Sequence, residues 1–351
     1  MTSSPSISAT PDLSVIIPVY NRGELVHYTL ESVRRASAGL QVEVMVVDDG
    51  SERPVADDIA RLGYARELRV IRQANQGLLF ARLTGLAAAT GRHVLFLDSD
   101  DLISSEKLRT QVAVMDQGGY DLSYTDTARV SLTGKYDDLE IHPDTPTRST
   151  TDAADFFINV QPAPHSPVFR TGYLREVVSR AFFPPSPLYN SVAEIWFYHN
   201  AAPRPARVVH VPGVHTIVGS HGDVRLTSHW ERLAVASLAV MEAFARSVPA
   251  TRENTPVRTY VGEKAFRSWR RLPRDFHPDY DRRLLQLWQQ LVPPPRSPAS
   301  LGGGAFQLTA RVLGSAAAGR LFRRWQNGRW ADIQTMPPDK FSALLGTLPP
   351  A

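Results

Sequence analysis

The sequence predicts an α/β protein: a mostly parallel sheet flanked by helices, followed by a C-terminal helical subdomain. Three observations carry this expectation. LSVIIPV (13–19), VEVMVV (42–47) and VLFL (94–97) are continuous apolar runs, the pattern of strands covered on both faces. Helical patterns separate them, as in βαβ units. Beyond residue 222 the strand signals stop, and Trp230, Leu233, Leu238, Met241 and Phe244 fall roughly along one helical face.

Taken in order, the first strand stops at YNRGE, and a helix follows through Leu25, Leu30 and Val33. The second strand ends in DDGS. A third fits ELRVI (67–71), a helix fits LLFARLTGLAAAT (78–90), and the fourth strand runs into Asp98, Ser99, Asp100 and Asp101. Parallel strands end at a common edge, so PVYN, DDGS and DSDD converge where open α/β sheets bind ligands. Ser104 and Ser105 are expected caps for a helix to about Gln117, and YDLSYT (120–125) reads as a strand. Residues 126–165, polar and rich in Pro and Thr, read as a substrate-facing excursion. Shorter strands and helices, including HSPVFR and RVVHVP, fill 166–217, and PPPRSPASLGGG (293–304) reads as a linker.

Composition bounds the rest. With 351 residues, 43% hydrophobic and 21% charged, the chain has the means to bury a core, which argues against a disordered or fibrous protein. It has no cysteine, so disulfides and thiolate metal sites are excluded and a reducing cytoplasm is the simplest location. No apolar run approaches the roughly 20 residues needed to cross a bilayer. MTSSPSISATPD lacks the features of a secretory signal, so a soluble cytoplasmic protein is expected. Charge is uneven: residues 1–203 hold 18 Lys+Arg against 25 Asp+Glu, and residues 204–351 hold 21 against 10.

Two aspartates separated by one residue at a strand end can turn toward the same ligand, and a hard divalent cation takes oxygen ligands while leaving positions for phosphates. Alone, such a pair is more often a capped loop. DDGS also reads as an Asx-type turn with Gly50 at positive φ, which leaves one aspartate able to meet a base or ribose.

Together, PVYN (18–21), VVDDGS (46–51), NQG (75–77), AR (81–82) and FLDSDD (96–101) resemble the family 2 glycosyltransferases of the nucleotide-diphospho-sugar (GT-A) fold over about the first 110 residues. The resemblance implies that Pro18, Tyr20 and one of Asp48 or Asp49 hold the uracil and ribose of a UDP-sugar. It sets Asn75 and Arg82 near the nucleotide and its phosphates, Asp98 toward the ribose, Ser99 beside it, and Asp100 as ligand of Mn²⁺ or Mg²⁺. Leu83 departs from the family's usual ARN, which leaves donor identity open.

Further along, Ala193 and Glu194 stand where the family has a Glu-Asp pair whose Asp is the base, so Glu194 is the candidate base. VHTIVGSH (214–221) stands where an Arg-x-His element touches metal or diphosphate. Gly219 replaces that Arg, His221 is the candidate ligand, and His215 competes with it. His165 is expected to line the acceptor pocket.

The implied activity is metal-dependent, inverting transfer from a UDP-sugar to a hydroxyl of a small-molecule, secondary-metabolite acceptor. The alternatives are a cell-envelope glycan acceptor, or nucleotide-sugar binding without catalysis. The expected division is a catalytic domain at 1–222 (1–125 for the donor, 126–222 for the acceptor), a helical subdomain at 223–292, the linker, and a helical extension at 305–351. KAFRSWRRLPR and ARVLGSAAAGRLFRRW are basic with interleaved aromatics. Packing or homo-oligomer formation is their ordinary reading and peripheral membrane contact the alternative; no nucleic-acid partner is expected.

Overall fold

The computed structural model describes residues 10–23, 25–64, 68–222 and 228–349. They form two compact units that interleave along the chain. The first holds the residues up to Ala153, then Val160–Arg180, then the segment from Pro205 through residue 222; the second holds Ala154–Asn159, Ala181–Arg204 and the helices after residue 227.

The first unit begins β1 (Leu13–Val19), α1 (Val26–Ala36), β2 (Val42–Asp48), α2 (Val55–Arg61), β3 (Arg69–Arg72), α3 (Leu78–Ala88) and β4 (His93–Phe96). These strands are mutually parallel, β2 and β4 flanking β1 and β3 outside β2. Every residue of β1 is buried, as its unbroken apolar run requires. Register brings Val19 beside Asp48 and Ile16 beside Phe96, so the polar exits of β1, β2 and β4 leave at one edge as expected.

Beyond the aspartates come β5 (Leu102–Ile103), α4 (Lys107–Gly118), β6 (Leu122–Ser131), β7 (Ile141–Pro143), a short turn α5 (Ala153–Asp155), β8 (Val168–Arg170), α6 (Thr171–Ser179), α7 (Ala193–Ala201) and β9 (Val208–Ser220). The sheet order among the described residues is β3-β2-β1-β4-β8-β6-β9-β5, with β7 beside β6. Two local expectations are corrected. The strand expected to end at Thr125 continues to Ser131, because β9 pairs with it in parallel along that whole length. Ser104 does not cap α4 with its side chain: its hydroxyl is 2.7 Å from His215 Nδ1.

The second unit is helical: α7, then α8 (Trp230–Ser247), α9 (Thr255–Arg271), α10 (Pro278–Leu291), α11 (Gly304–Leu313), α12 (Ser315–Gln326) and α13 (Pro338–Gly346). Leu238, Met241 and Phe244 are buried on α8 as expected. The stretch 293–304 is packed rather than free: Leu301 is fully buried, and the Arg296 guanidinium lies 5.3 Å from the Trp288 ring centre. Among the described residues no helix is long and apolar enough to cross a membrane.

Candidate active site

The sheet edge is built outward from its backbone. Asp48, the last residue of β2, is buried; its carboxylate accepts from the Ser51 amide at 2.9 Å, the Val55 amide at 3.2 Å and Arg72 Nη1 at 2.5 Å. Asp49 turns the other way, accepting from Gln73 Nε2 at 2.7 Å, the Gln76 amide at 3.0 Å and the Gly77 amide at 2.7 Å. The first carboxylate thus closes its own turn and the second pins the 73–77 loop. Between them and that loop stands Gly50 at φ 78°, where a Cβ would come within 2.7 Å of the Asn75 nitrogen. Only glycine satisfies both the left-handed backbone and that approach. Asn75 is exposed, Tyr20 is half exposed, and Pro18 is buried in β1.

The acidic cluster divides by depth. Asp98 accepts from Arg82 at 2.7 Å, and Arg82 is itself buried with its guanidinium 5.7 Å from the Phe96 ring centre. Ser99 is buried. Asp101 points inward: one oxygen accepts from the Gly219 amide at 2.9 Å and the other lies 3.0 Å from His165 Nδ1. Burial, opposed by His165, raises the Asp101 pKa above its ordinary value. His165, expected against an acceptor, has no exposed surface here; its other ring nitrogen is 3.2 Å from the Ile217 carbonyl. The physical reason is that the third aspartate needs a buried partner, and His165 meets it.

That inner tie positions the outer one. Gly219 packs so closely that a Cβ would fall 2.0 Å from the Asp100 carbonyl oxygen, so the Arg expected at this place has no room. Two residues on, His221 arrives with Nε2 at 2.8 Å from Asp100 Oδ2. Arg22, from the loop after β1, joins them: its Nη1 is 2.6 Å from His221 Nε2 and 3.4 Å from Asp100 Oδ2. His215, the competing histidine, instead faces Ser104.

Asp100 and His221 suit a divalent cation in part. One carboxylate and one imidazole at hydrogen-bonding separation can share an ion that takes its other ligands from phosphates and water. Among the described residues no group of three or more His, Asp and Glu forms a fuller cage. Arg22 meanwhile brings its own positive charge to both. Sequence reasoning missed Arg22, although YNRGE at the end of a parallel strand leaves at the edge the aspartates share.

Glu194 belongs to the second unit. It is half buried in the first turn of α7, and its charge favours the protonated form of Lys264 on α9. Burial, with Arg267's charge, lowers the Lys264 pKa to about 7, and its Nζ donates to the Ile158 carbonyl at 2.9 Å. His199, one turn beyond Glu194, is buried and lowered to about 3, chiefly by burial, so it stays neutral.

A mixed sheet whose parallel strands gather aspartates, a histidine and an arginine at their carboxyl edge has the layout of a ligand-binding α/β protein. Residues 14–179, a little under half of the chain, match the family described as Glycosyl transferase family 2, and the fold is of the GT-A type. It is 32% identical to the succinoglycan biosynthesis protein ExoO of Rhizobium meliloti over 131 residues, covering 37% of each chain. An uncharacterized glycosyltransferase of Rickettsia conorii is 30% identical over 126 residues, 35% of this chain and 20% of that protein. The match thus spans between 20% and 37% of the length of these curated relatives. The solved structure of S. aureus TarS 1-349 in complex with UDP has a TM-score of 0.61 at 19% identity, covering 89% of this chain and 90% of that one, and it speaks to the fold. A second structure of the same protein holds UDP-GlcNAc, with a TM-score of 0.62.

Proposed function

We propose that this chain is a glycosyltransferase that takes a sugar from a nucleoside diphosphate, UDP first among the candidates, and places it on a hydroxyl of a cell-envelope glycan. The observation that carries this is the meeting of Asp100, His221 and Arg22 at the carboxyl edge of the sheet. A donor's diphosphate is dianionic, and its departure concentrates charge on the β-phosphate. A positive group fixed there beforehand lowers the barrier without reorganising during the reaction. Asp100 and His221 would hold Mn²⁺ or Mg²⁺, which supplies that positive charge when bound. Arg22 adds a guanidinium suited to phosphate oxygens.

On this reading the exposed Tyr20 ring and Asn75 meet the nucleoside, with Pro18 and Ser99 shaping the floor beneath them. Asp98 faces the ribose, with Arg82 holding one of its oxygens. Asp48 and Asp49 act first through the loops they hold, and Asp49 is the one whose loop carries Asn75. Glu194 takes the acceptor proton, with inversion and a β-linkage as the expected stereochemistry.

This reading prefers the cell-envelope glycan, the alternative acceptor, over the secondary metabolite placed first from sequence. ExoO's part in succinoglycan biosynthesis supports a glycan, and no relative above is tied to small-molecule tailoring. A hydrolysis screen of UDP-, GDP- and TDP-sugars with Mn²⁺ and Mg²⁺ tests the donor half without any acceptor. Cation-dependent release of UDP is the expected result. Release from none of the three, with no nucleotide bound, would remove the proposal.

A further inference from the structure

The C-terminal helices carry a feature that sugar transfer does not use. On α11, Phe306 and Ala310 are buried, while Leu308, Arg311 and Val312 are exposed; on α12, Ala318, Gly319, Phe322 and Arg323 are buried, while Arg320, Leu321, Arg324 and Trp325 are exposed. Both buried faces turn toward α9. Phe306 lies 6.1 Å, centre to centre, from Phe266, and Gly319 sits so close to Trp269 that a Cβ would be 2.3 Å from its ring. The Phe306 and Phe322 rings meet edge to face at 5.6 Å, locking the two helices into one layer. Two helices resting side by side on a third present their outer faces in the same direction.

That outer face is unusual in two independent ways. Val312 and Trp325 are 83% and 80% exposed, an arrangement that water disfavours and that marks an interaction surface. The charge beside them is of one sign: from Arg282 to Ala331 the sequence contains no Asp or Glu. Arg311, Arg320 and Arg324 have no ion-pair partner among the described residues, whereas the inward-facing Arg323 is paired with Asp281 at 2.5 Å.

We propose that the outer face of α11 and α12 lies on an anionic lipid bilayer, with Leu308, Val312, Leu321 and Trp325 entering the headgroup boundary and the three arginines meeting lipid phosphates. The chemistry fits this occupant best. Amphipathic helices with arginine beside leucine and tryptophan, and no acid, bind in the plane of such an interface. A protein partner would need acidic groups aligned with three separate arginines, whereas a bilayer supplies negative charge at every point. The inference does not depend on the identity of the donor or acceptor.

Flotation of the whole chain with vesicles of phosphatidylcholine alone, or with about a third phosphatidylglycerol, tests it. The protein should float with the anionic vesicles and stay behind with the neutral ones, and binding should weaken at high salt. Trp325→Glu together with Leu321→Glu should abolish flotation. Each of Arg311→Gln, Arg320→Gln and Arg324→Gln should weaken it about fivefold. All five positions are exposed, so unchanged circular dichroism and melting should accompany these losses. Absence of flotation with anionic vesicles at low salt would overturn the proposal. So would a self-association, seen by sedimentation, that the same substitutions abolish while vesicle binding is absent.

Discussion

The sheet edge of the first unit and the outer helical layer of the second both gather charge, and they treat it in opposite ways. At the edge, Asp48, Asp49, Asp98, Asp100 and Asp101 each have a hydrogen-bond partner within the protein, several of them backbone amides. On the outer layer, Arg311, Arg320 and Arg324 have no ion pair among the described residues. Charge that must act on a small ligand at fixed distances is held before the ligand comes, because a side chain displaced by 1 Å loses most of its effect. Charge that meets an extended partner needs no such precision and is left to that partner.

The largest effect is expected from Glu194→Gln, which should lower turnover by roughly 10²- to 10⁴-fold, as loss of a general base does. Nucleotide affinity should be unchanged, since the proposed nucleotide site is the sheet edge. Full turnover by this variant would remove Glu194 from its role.

Asp49→Ala should be the most damaging change to folding among the edge residues, because three donors from the 73–77 loop lose their acceptor. A loss of about 1–3 kcal/mol in urea unfolding is expected, together with weaker nucleotide binding. By contrast, changes to Trp325 on the outer layer should move stability by less than about 0.5 kcal/mol. Equal losses at the two places would erase the distinction.

Lys264 sharpens the contrast by pH. The unfolded chain keeps this lysine protonated up to about pH 10.4, whereas the folded chain releases the proton from about 7. The unfolded state therefore holds more protons between those values, and its share of stability rises with pH across that window. Lys264→Met should flatten the rise in urea midpoints between pH 7 and 9 relative to the parent protein. An identical pH slope in both would contradict the burial that lowers its pKa.

The smallest effect concerns Arg22, whose charge occupies the neighbourhood of Asp100 and His221. Arg22→Ala should tighten binding of Mn²⁺ alone by about fivefold, the scale of one partly exposed charge contact, and weaken binding of UDP. Unchanged affinity for the cation would mean that Arg22 does not compete for the site.

Much of this architecture was legible in the sequence, and the limits are physical. β1, β2 and β4 announce themselves because strands covered on both faces must be apolar throughout, and their shared direction fixes where the aspartates go. Gly50 at positive φ follows from local turn chemistry. What was not legible depends on partners far away in sequence. Nothing near residue 125 shows that β6 continues to Ser131, because its alternating residues gain their pairing from β9 more than eighty positions later. Arg22 meets His221 across 199 positions. The resemblance of HSPVFR to the family segment before the acceptor-binding helix points His165 at a pocket, and only the depth of Asp101, far away in sequence, shows its buried role. The passage of 181–204 into the helical unit leaves no compositional mark either.

The central claim is that the edge holding Asp100 binds the diphosphate together with a divalent cation. Calorimetric titration of UDP, with and without Mn²⁺, into the parent protein and Asp100→Ala tests it most directly. The account predicts that Mn²⁺ strengthens UDP binding to the parent protein by tenfold or more and leaves the variant's weaker binding unaltered. A variant in which Mn²⁺ strengthens UDP binding as much as in the parent would contradict it.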